Sequence, residues 1–196
     1  MLGAIKHALA NLANPNGRDG RSAFWYWMLA VFILRFAAEM MVTVPMTARI
    51  VALTVAMESG NEPYDGAAQA AHLTQALMTE MPGIVRAGIV IGLAAMLLVA
   101  TSLIRRLHDS GLSGWFVLVP GALYGAVLAR SPMQMERAME VMNNMDPTSP
   151  PSAAMMLQEQ GPLALLAWVP LLLIIWIGLR RSEFGPNRYG DQPTQS

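Results

Sequence analysis

The chain has no cysteine among its 196 residues, which excludes disulfide bonds and thiolate metal sites. Charge is scarce as well. Asp, Glu, Lys and Arg make up 13% of the residues, about half the roughly 25% usual in soluble domains. Thirteen basic residues balance thirteen acidic ones, so the net charge of zero offers no general attraction to nucleic acid. Only three histidines occur, His7, His72 and His108, which argues against a multi-histidine metal centre. A cleavable secretory leader is not expected either. The first long apolar run begins at Phe24, too late and too long for a leader core, and no small-residue cleavage site follows it.

What remains is apolar: 54% of the residues are hydrophobic. A membrane-crossing helix needs about 20 mostly apolar residues, and four segments approach that, at 24–44, 84–104, 115–129 and 162–179. The third contains Pro120 and Gly121 and is short, so it reads as a short span, with a kinked or re-entrant segment as the alternative. Ahead of the first span, Leu2, Ile5, Leu9 and Leu12 recur at helical spacing, and Pro15-Asn16-Gly17 ends the pattern. This amphipathic helix either lies on the membrane surface or packs against the bundle ends. The sequence therefore predicts an all-α, polytopic membrane helical bundle: a single membrane domain over 1–196, with four transmembrane helices and an N-terminal amphipathic helix.

Two long connections, 45–83 and 130–161, separate the spans. Neither reads as structureless throughout. Thr47–Met57 either extends the first helix or starts a new one after Pro45. Ala67–Met81 reads as a helix ended by Pro82, and Gln134–Asn143 as a short helix before the turn-rich Asp146–Pro151.

Charge sets the topology. The two termini and the 105–109 turn carry Lys6, Arg18, Arg21, Arg105, Arg106, Arg180, Arg181 and Arg188 against Asp19, Asp109, Glu183 and Asp191. That is eight basic and four acidic residues, and the two long connections, counted with Arg86, reverse the ratio to four and eight. Basic residues concentrate on cytoplasmic faces, which puts both termini and the 105–115 turn inside and the long connections outside. Trp25, Trp27 and Trp115 then fall at the inner interface as anchors.

Three signatures meet at that face. They are Gly17-Arg18-Asp19-Gly20-Arg21-Ser22-Ala23-Phe24-Trp25, then Arg105-Arg106-Leu107-His108-Asp109 with Ser113-Gly114-Trp115, then Gly185-Pro186-Asn187-Arg188-Tyr189-Gly190 followed by Asp191 and Pro193. In combination and order they resemble the bacterial inner-membrane family catalogued as domain of unknown function 805, over about Leu9 to Pro193. The resemblance implies a small polytopic protein of the bacterial inner (plasma) membrane, and it brings no established reaction. The two long outward connections depart from the shorter ones of the family.

The inner-face polar cluster comprises Arg18, Arg21, Arg105, Arg106, His108, Asp109, Asn187, Arg188 and Tyr189. Arg105 and Arg106 end the second span, where cations suit the helix dipole and can meet anionic lipid. The sharper alternative is a dedicated phosphate or headgroup site shared with Arg18, Arg21 and Arg188. Adjacent helix residues do not face each other, so His108 and Asp109 are not assumed to be a catalytic pair. Asp109, Ser110 or Ser113 can cap the following helix, and His108 can dock Asn187 or Tyr189. Gly111-Leu112-Ser113-Gly114 lacks the spacing of a nucleophile elbow. Within the first span, Arg35 and Glu39 stand at i,i+4, either as a self-neutralising pair or as part of a polar pathway. Met135, Met139 and Met142 also follow helical spacing, as an apolar face rather than a copper site.

The expectation is thus an integral membrane protein acting as a structural or interaction protein rather than an enzyme. It needs no cofactor or metal. Its partners are the bilayer, anionic headgroups, and another membrane protein or a second copy. A small-solute or ion transporter using Arg35 and Glu39 is the alternative, and a lipid-headgroup enzyme using His108 and Asp109 the weaker one.

Overall fold

The computed structural model describes residues 1–58, 66–143, 165 and 167–193. Among these, five α-helices follow one another: α1 (Leu2–Ala10), α2 (Arg21–Glu58), α3 (Gly66–Asp109), α4 (Leu118–Asn143) and α5 (Val169–Leu179). A single 3-10 turn, Gly114–Val117, precedes α4. The described residues form no strand, only an isolated bridge between Asn187 and Gly190. The architecture is all-helical. Among the described residues, three stretches, Arg21–Ala56, Thr74–Asp109 and Gly114–Val141, are long and apolar enough to cross a membrane. The fourth apolar helix, α5, is shorter at 11 residues.

The helices run further than the sequence predicts. Pro82 does not end a helix, and Pro45 starts no new one: both lie inside continuous helices, as does Pro132 in α4. Residues 45–58, 66–83 and 130–143, placed in the connections, are helical, which includes the helices expected at Thr47–Met57, Ala67–Met81 and Gln134–Asn143 but joins them to the spans. A proline removes one backbone donor and crowds the preceding turn. Here each helix resumes beyond its proline, even with Gly83 following Pro82 in α3, and apolar helices tolerate such interruptions. Threonine hydroxyls join the ladder beside Pro45, Thr43 donating to the Glu39 carbonyl at 2.9 Å and Thr47 to the Thr43 carbonyl at 3.0 Å. The turn-rich Asp146–Pro151 and the start of the fourth segment lie outside the described residues.

A glycine does stop α3. Gly111 has φ +74°, a left-handed conformation that costs a residue without Cβ little. The Leu112 amide then donates to the Leu107 carbonyl at 3.0 Å and the Gly111 amide to the His108 carbonyl at 3.1 Å, the paired bonds of a Schellman stop.

Contacts divide the chain into two compact units. The first comprises Met1–Phe36, Gly92–Leu128 and Pro162–Ser196; the second comprises Ala37–Ile91 and Ala129–Gly161. In the second, the Arg49 guanidinium and Glu80 carboxylate pair at 3.1 Å between α2 and α3, both substantially exposed. In the first, Ala8 of α1, Phe24, Trp27 and Val31 of α2, Val99, Leu103 and Leu107 of α3, and Ile177 of α5 form the core. Successive positions are three and then four apart on α2 and four apart on α3, one stripe of each helix.

The surface of the first unit inverts the soluble pattern. Leu29, Phe32, Ile33, Leu34 and Phe36 of α2, and Leu171, Leu172 and Trp176 of α5, are exposed. Arg18, Asp19, Ser102, Arg105, Arg106, His108 and Asp109 are buried. Close packing needs a glycine at Gly178, where a Cβ would lie 2.6 Å from Trp25 Cζ2 and 2.7 Å from Phe24 Cε1.

Candidate functional site: a buried arginine–aspartate network

Along α3 the inward stripe begins apolar, at Val99 and Leu103, and turns polar through Ser102, Arg106 and Asp109. Charged groups this deep need partners, because an unpaired buried charge is strongly unfavourable. The partners come from three places: the segment before α2, the last turn of α3 itself, and the segment after α5.

Asp109 is the centre. It is fully buried at the C-terminal end of α3, where the helix dipole disfavours a carboxylate. Arg18 Nε donates to its Oδ1 at 3.2 Å, with Arg18 Nη2 at 3.1 Å from the same oxygen. Arg106 Nη1 and the Ser182 hydroxyl both donate to Oδ2, the latter at 2.5 Å. The Glu183 amide donates to the Asp109 carbonyl at 2.7 Å, joining the tail to the same residue. Asp109 does not cap the helix that follows. Its oxygens are taken by two guanidinium groups, and the Ser113 hydroxyl takes the capping place by accepting from the Trp115 amide.

A second carboxylate, Asp19, organises the other side. It accepts from Arg105 Nε at 3.0 Å and from the Ser102 hydroxyl at 2.9 Å, and His7 Nε2 stands 3.3 Å from Oδ1. The backbone joins in, the Asp19 amide donating to the Arg105 carbonyl at 3.2 Å.

Each of three arginines closes a chain segment as well as an ion pair. Arg105 Nη1 donates to the carbonyls of Asn11 and Asn14, both at 2.8 Å, just beyond α1. Arg106 Nη2 donates to the carbonyls of Gly178 and Arg180, at the C-terminal end of α5. Arg18 reaches the tail, donating to Glu183 at 2.6 Å, Gly185 at 2.7 Å and Gly190 at 3.3 Å. Helix ends leave carbonyls without intrahelical donors, and a planar guanidinium with five N–H groups suits them. Among the described residues, Arg105 Nη2, Arg106 Nε and Arg180 Nε are buried donors without a protein acceptor.

His108 and Asp109 diverge, as neighbours on a helix must. The His108 ring stacks on Tyr189, with centroids 3.7 Å apart and an interplanar angle of 6°. Its Nδ1 lies 3.3 Å from the Gly17 carbonyl, which favours a proton on that nitrogen. Asn187 Nδ2 donates to the His108 carbonyl at 3.0 Å and to Glu183 Oε2 at 2.7 Å. Both docking partners expected for His108 are therefore present, one through the ring and one through the backbone.

Other expected site residues fall outside the network. Arg21 is exposed at the start of α2. Arg188 is exposed, with its guanidinium 4.7 Å from the Tyr189 ring centroid. The three tryptophans separate: Trp115 is 77% exposed, Trp25 half-buried, and Trp27 a core residue whose Nε1 donates to the Leu98 carbonyl at 3.0 Å. Trp27 is thus no surface anchor, because it stands on the Phe24–Val31 stripe. Arg35 is half-buried and donates to the Tyr124 hydroxyl at 2.8 Å. Glu39, one turn further along α2, is also half-buried. Met135 and Met139 are half-buried on α4, and the Met142 side chain lies outside what is described. His72 is exposed on α3.

Four contributors were not singled out from the sequence: Asp19, Ser102, Ser182 and Glu183. Asp19 carried a signal, being the one acidic residue in an N-terminal segment with three basic residues. The two serines carried none, since a hydroxyl suits many surroundings.

No curated protein and no solved structure matches the chain. A family model does match, over residues 12–191, a range that contains the arginines and both aspartates of the network. The chain belongs to the family described as protein of unknown function DUF805.

Proposed function

We propose that this is a four-span protein of the bacterial inner membrane, with both termini cytoplasmic, acting as a structural or interaction protein rather than an enzyme. The observation carrying this reading is the inversion of polarity, with apolar side chains outward and a paired ionic network inward. Apolar helices exposed along their length require lipid. The excess of basic residues around the network supports a cytoplasmic position for it. In this reading α5, with residues preceding it, supplies the fourth span.

The network supports a structural role because most of its guanidinium donors hold segments together, Arg105 Nη2 and Arg106 Nε being the ones without an acceptor among the described residues. His108 has one ring face covered by Tyr189, and Asp109 is inaccessible. Arg105 and Arg106 are 2% and 0% exposed, so a phosphate site built on them would require the network to open. Any partner, whether another membrane protein or a second copy, meets the surface around the network. Tags at Gly60 and Asp146 test the topology: both become accessible only from outside. A tag at either that reacts from the cytoplasm defeats the four-span arrangement.

A second reading, a small-solute or ion transporter, draws on the Arg35–Tyr124 contact. An arginine in an apolar helix is costly and marks a functional position by default. Flux across proteoliposomes that Glu39→Gln and Arg35→Met abolish, with the fold retained, would favour it over the structural reading.

A further inference from the structure

The apolar arc of α1 is wider than the face the core uses. Ile5, Ala8 and Leu12 pack inward. Leu2 and Leu9, beside that face on the helix wheel, are 75% and 52% exposed. Lys6 lies next to them at i+4 from Leu2 and i−3 from Leu9, and is exposed. One helix thus carries a docked apolar edge, an undocked apolar edge, and a cation on the flank of the second.

The loop after α5 repeats the combination. Phe184 is 93% exposed, yet the preceding residue is fixed, the Glu183 amide donating to the Asp109 carbonyl at 2.7 Å. Arg181 and Arg188 are exposed on the same tail, with Glu183 and Asp191 as the acidic residues among them. Arg105 holds the end of α1 and Arg106 the end of α5, on successive residues of α3. Both exposed apolar groups therefore stand at the network end of the first unit.

We infer that this end is an anionic-lipid docking surface, with Leu2, Leu9 and Phe184 inserted at the acyl boundary and Lys6, Arg181 and Arg188 bound to headgroup phosphates. The inference rests on the reading of the chain as membrane-spanning. Apolar groups flanked by cations are the chemistry of an interfacial helix, and each basic residue near an anionic surface contributes about 1 kcal/mol. Such anchoring fixes the depth of α1 and of the tail at the membrane surface.

The absence of cysteine makes the test direct. Single-cysteine variants Leu9→Cys, Phe184→Cys, Gly3→Cys and Phe32→Cys of the full chain carry an environment-sensitive fluorophore. They are reconstituted into phosphatidylcholine vesicles with or without phosphatidylglycerol, and quenching by brominated lipid is read. Phe32→Cys reports on the span itself; loss of quenching there defeats the membrane-spanning reading rather than this one. With Phe32→Cys quenched, the expected result is quenching at Leu9→Cys and Phe184→Cys above that at Gly3→Cys. It increases with phosphatidylglycerol, and the increase is lost in a background carrying Lys6→Gln, Arg181→Gln and Arg188→Gln. Water-exposed probes at Leu9→Cys and Phe184→Cys overturn the proposal. So does quenching indifferent to phosphatidylglycerol, or a response that survives the triple substitution.

Discussion

Arg18 and Asp109 meet at 3.2 Å across 91 positions of sequence, both buried, and tie the segment before α2 to the last turn of α3. The pair is worth most when considered by removal. Deleting one member of a buried ion pair leaves the other uncompensated, at a cost of about 3–5 kcal/mol. Asp109→Ala leaves two guanidinium groups in that condition, and Asp109→Asn keeps the shape while removing the charge. Thermal unfolding in detergent should show a large loss for Asp109→Ala and a smaller loss in the same direction for Asp109→Asn. Unchanged unfolding of both would remove the network from the account of stability.

Arg106→Lys tests the fork. Lysine keeps the charge and loses the planar set of donors that reaches Asp109 and the carbonyls at the end of α5 together. The expected outcome is faster proteolysis of the tail after Leu179, with α1 unaffected. Arg105→Met should give the reverse pattern, faster tryptic cleavage after Lys6 with an intact tail, because Arg105 holds the Asn11 and Asn14 carbonyls.

Gly178→Ala places a methyl against Phe24 and Trp25 at separations real Cβ atoms do not adopt. Overpacking of this kind costs about 1–3 kcal/mol. A lowered unfolding temperature is expected, and Trp25→Leu should recover part of it by making room on one side.

Tyr124→Phe removes the hydroxyl that accepts from Arg35. A hydrogen bond to a charged group contributes about 1.5–3 kcal/mol. The loss should vanish when Tyr124→Phe is made in an Arg35→Met background, a double-mutant cycle read by thermal unfolding. Equal losses in both backgrounds would show that the phenol acts by packing alone.

Much of this fold is legible in the sequence because lipid-facing helices need only composition. Runs such as Phe24–Val44 announce themselves without any pattern of partners. The ends of the helices are less legible. Pro82 reads as a stop, yet α3 runs through it, and of the two readings open at Pro45 the continuous helix is the one found. The three polar signatures were legible as neighbours, and the stacking of His108 on Tyr189 follows from that neighbourhood. Their pairing was not legible. Arg105 and Arg106 are identical side chains about 100° apart around α3, so one turns to α1 and the other to α5. Most of their acceptors are backbone carbonyls, which every residue possesses and no residue type advertises. Trp25 and Trp27 separate for a similar reason, since only one of them stands in register with Phe24 and Val31.

The carbonyls of Glu183, Gly185 and Gly190 to which Arg18 donates lie 165, 167 and 172 positions further along the chain. During synthesis from the N-terminus, Arg18 emerges well before Asp109, and later still come these three acceptors. A deletion that begins at Ser182 keeps α5 and the Gly178 and Arg180 carbonyls that Arg106 reaches. It strips Arg18 of all three of its tail acceptors, so its damage is concentrated on a single guanidinium.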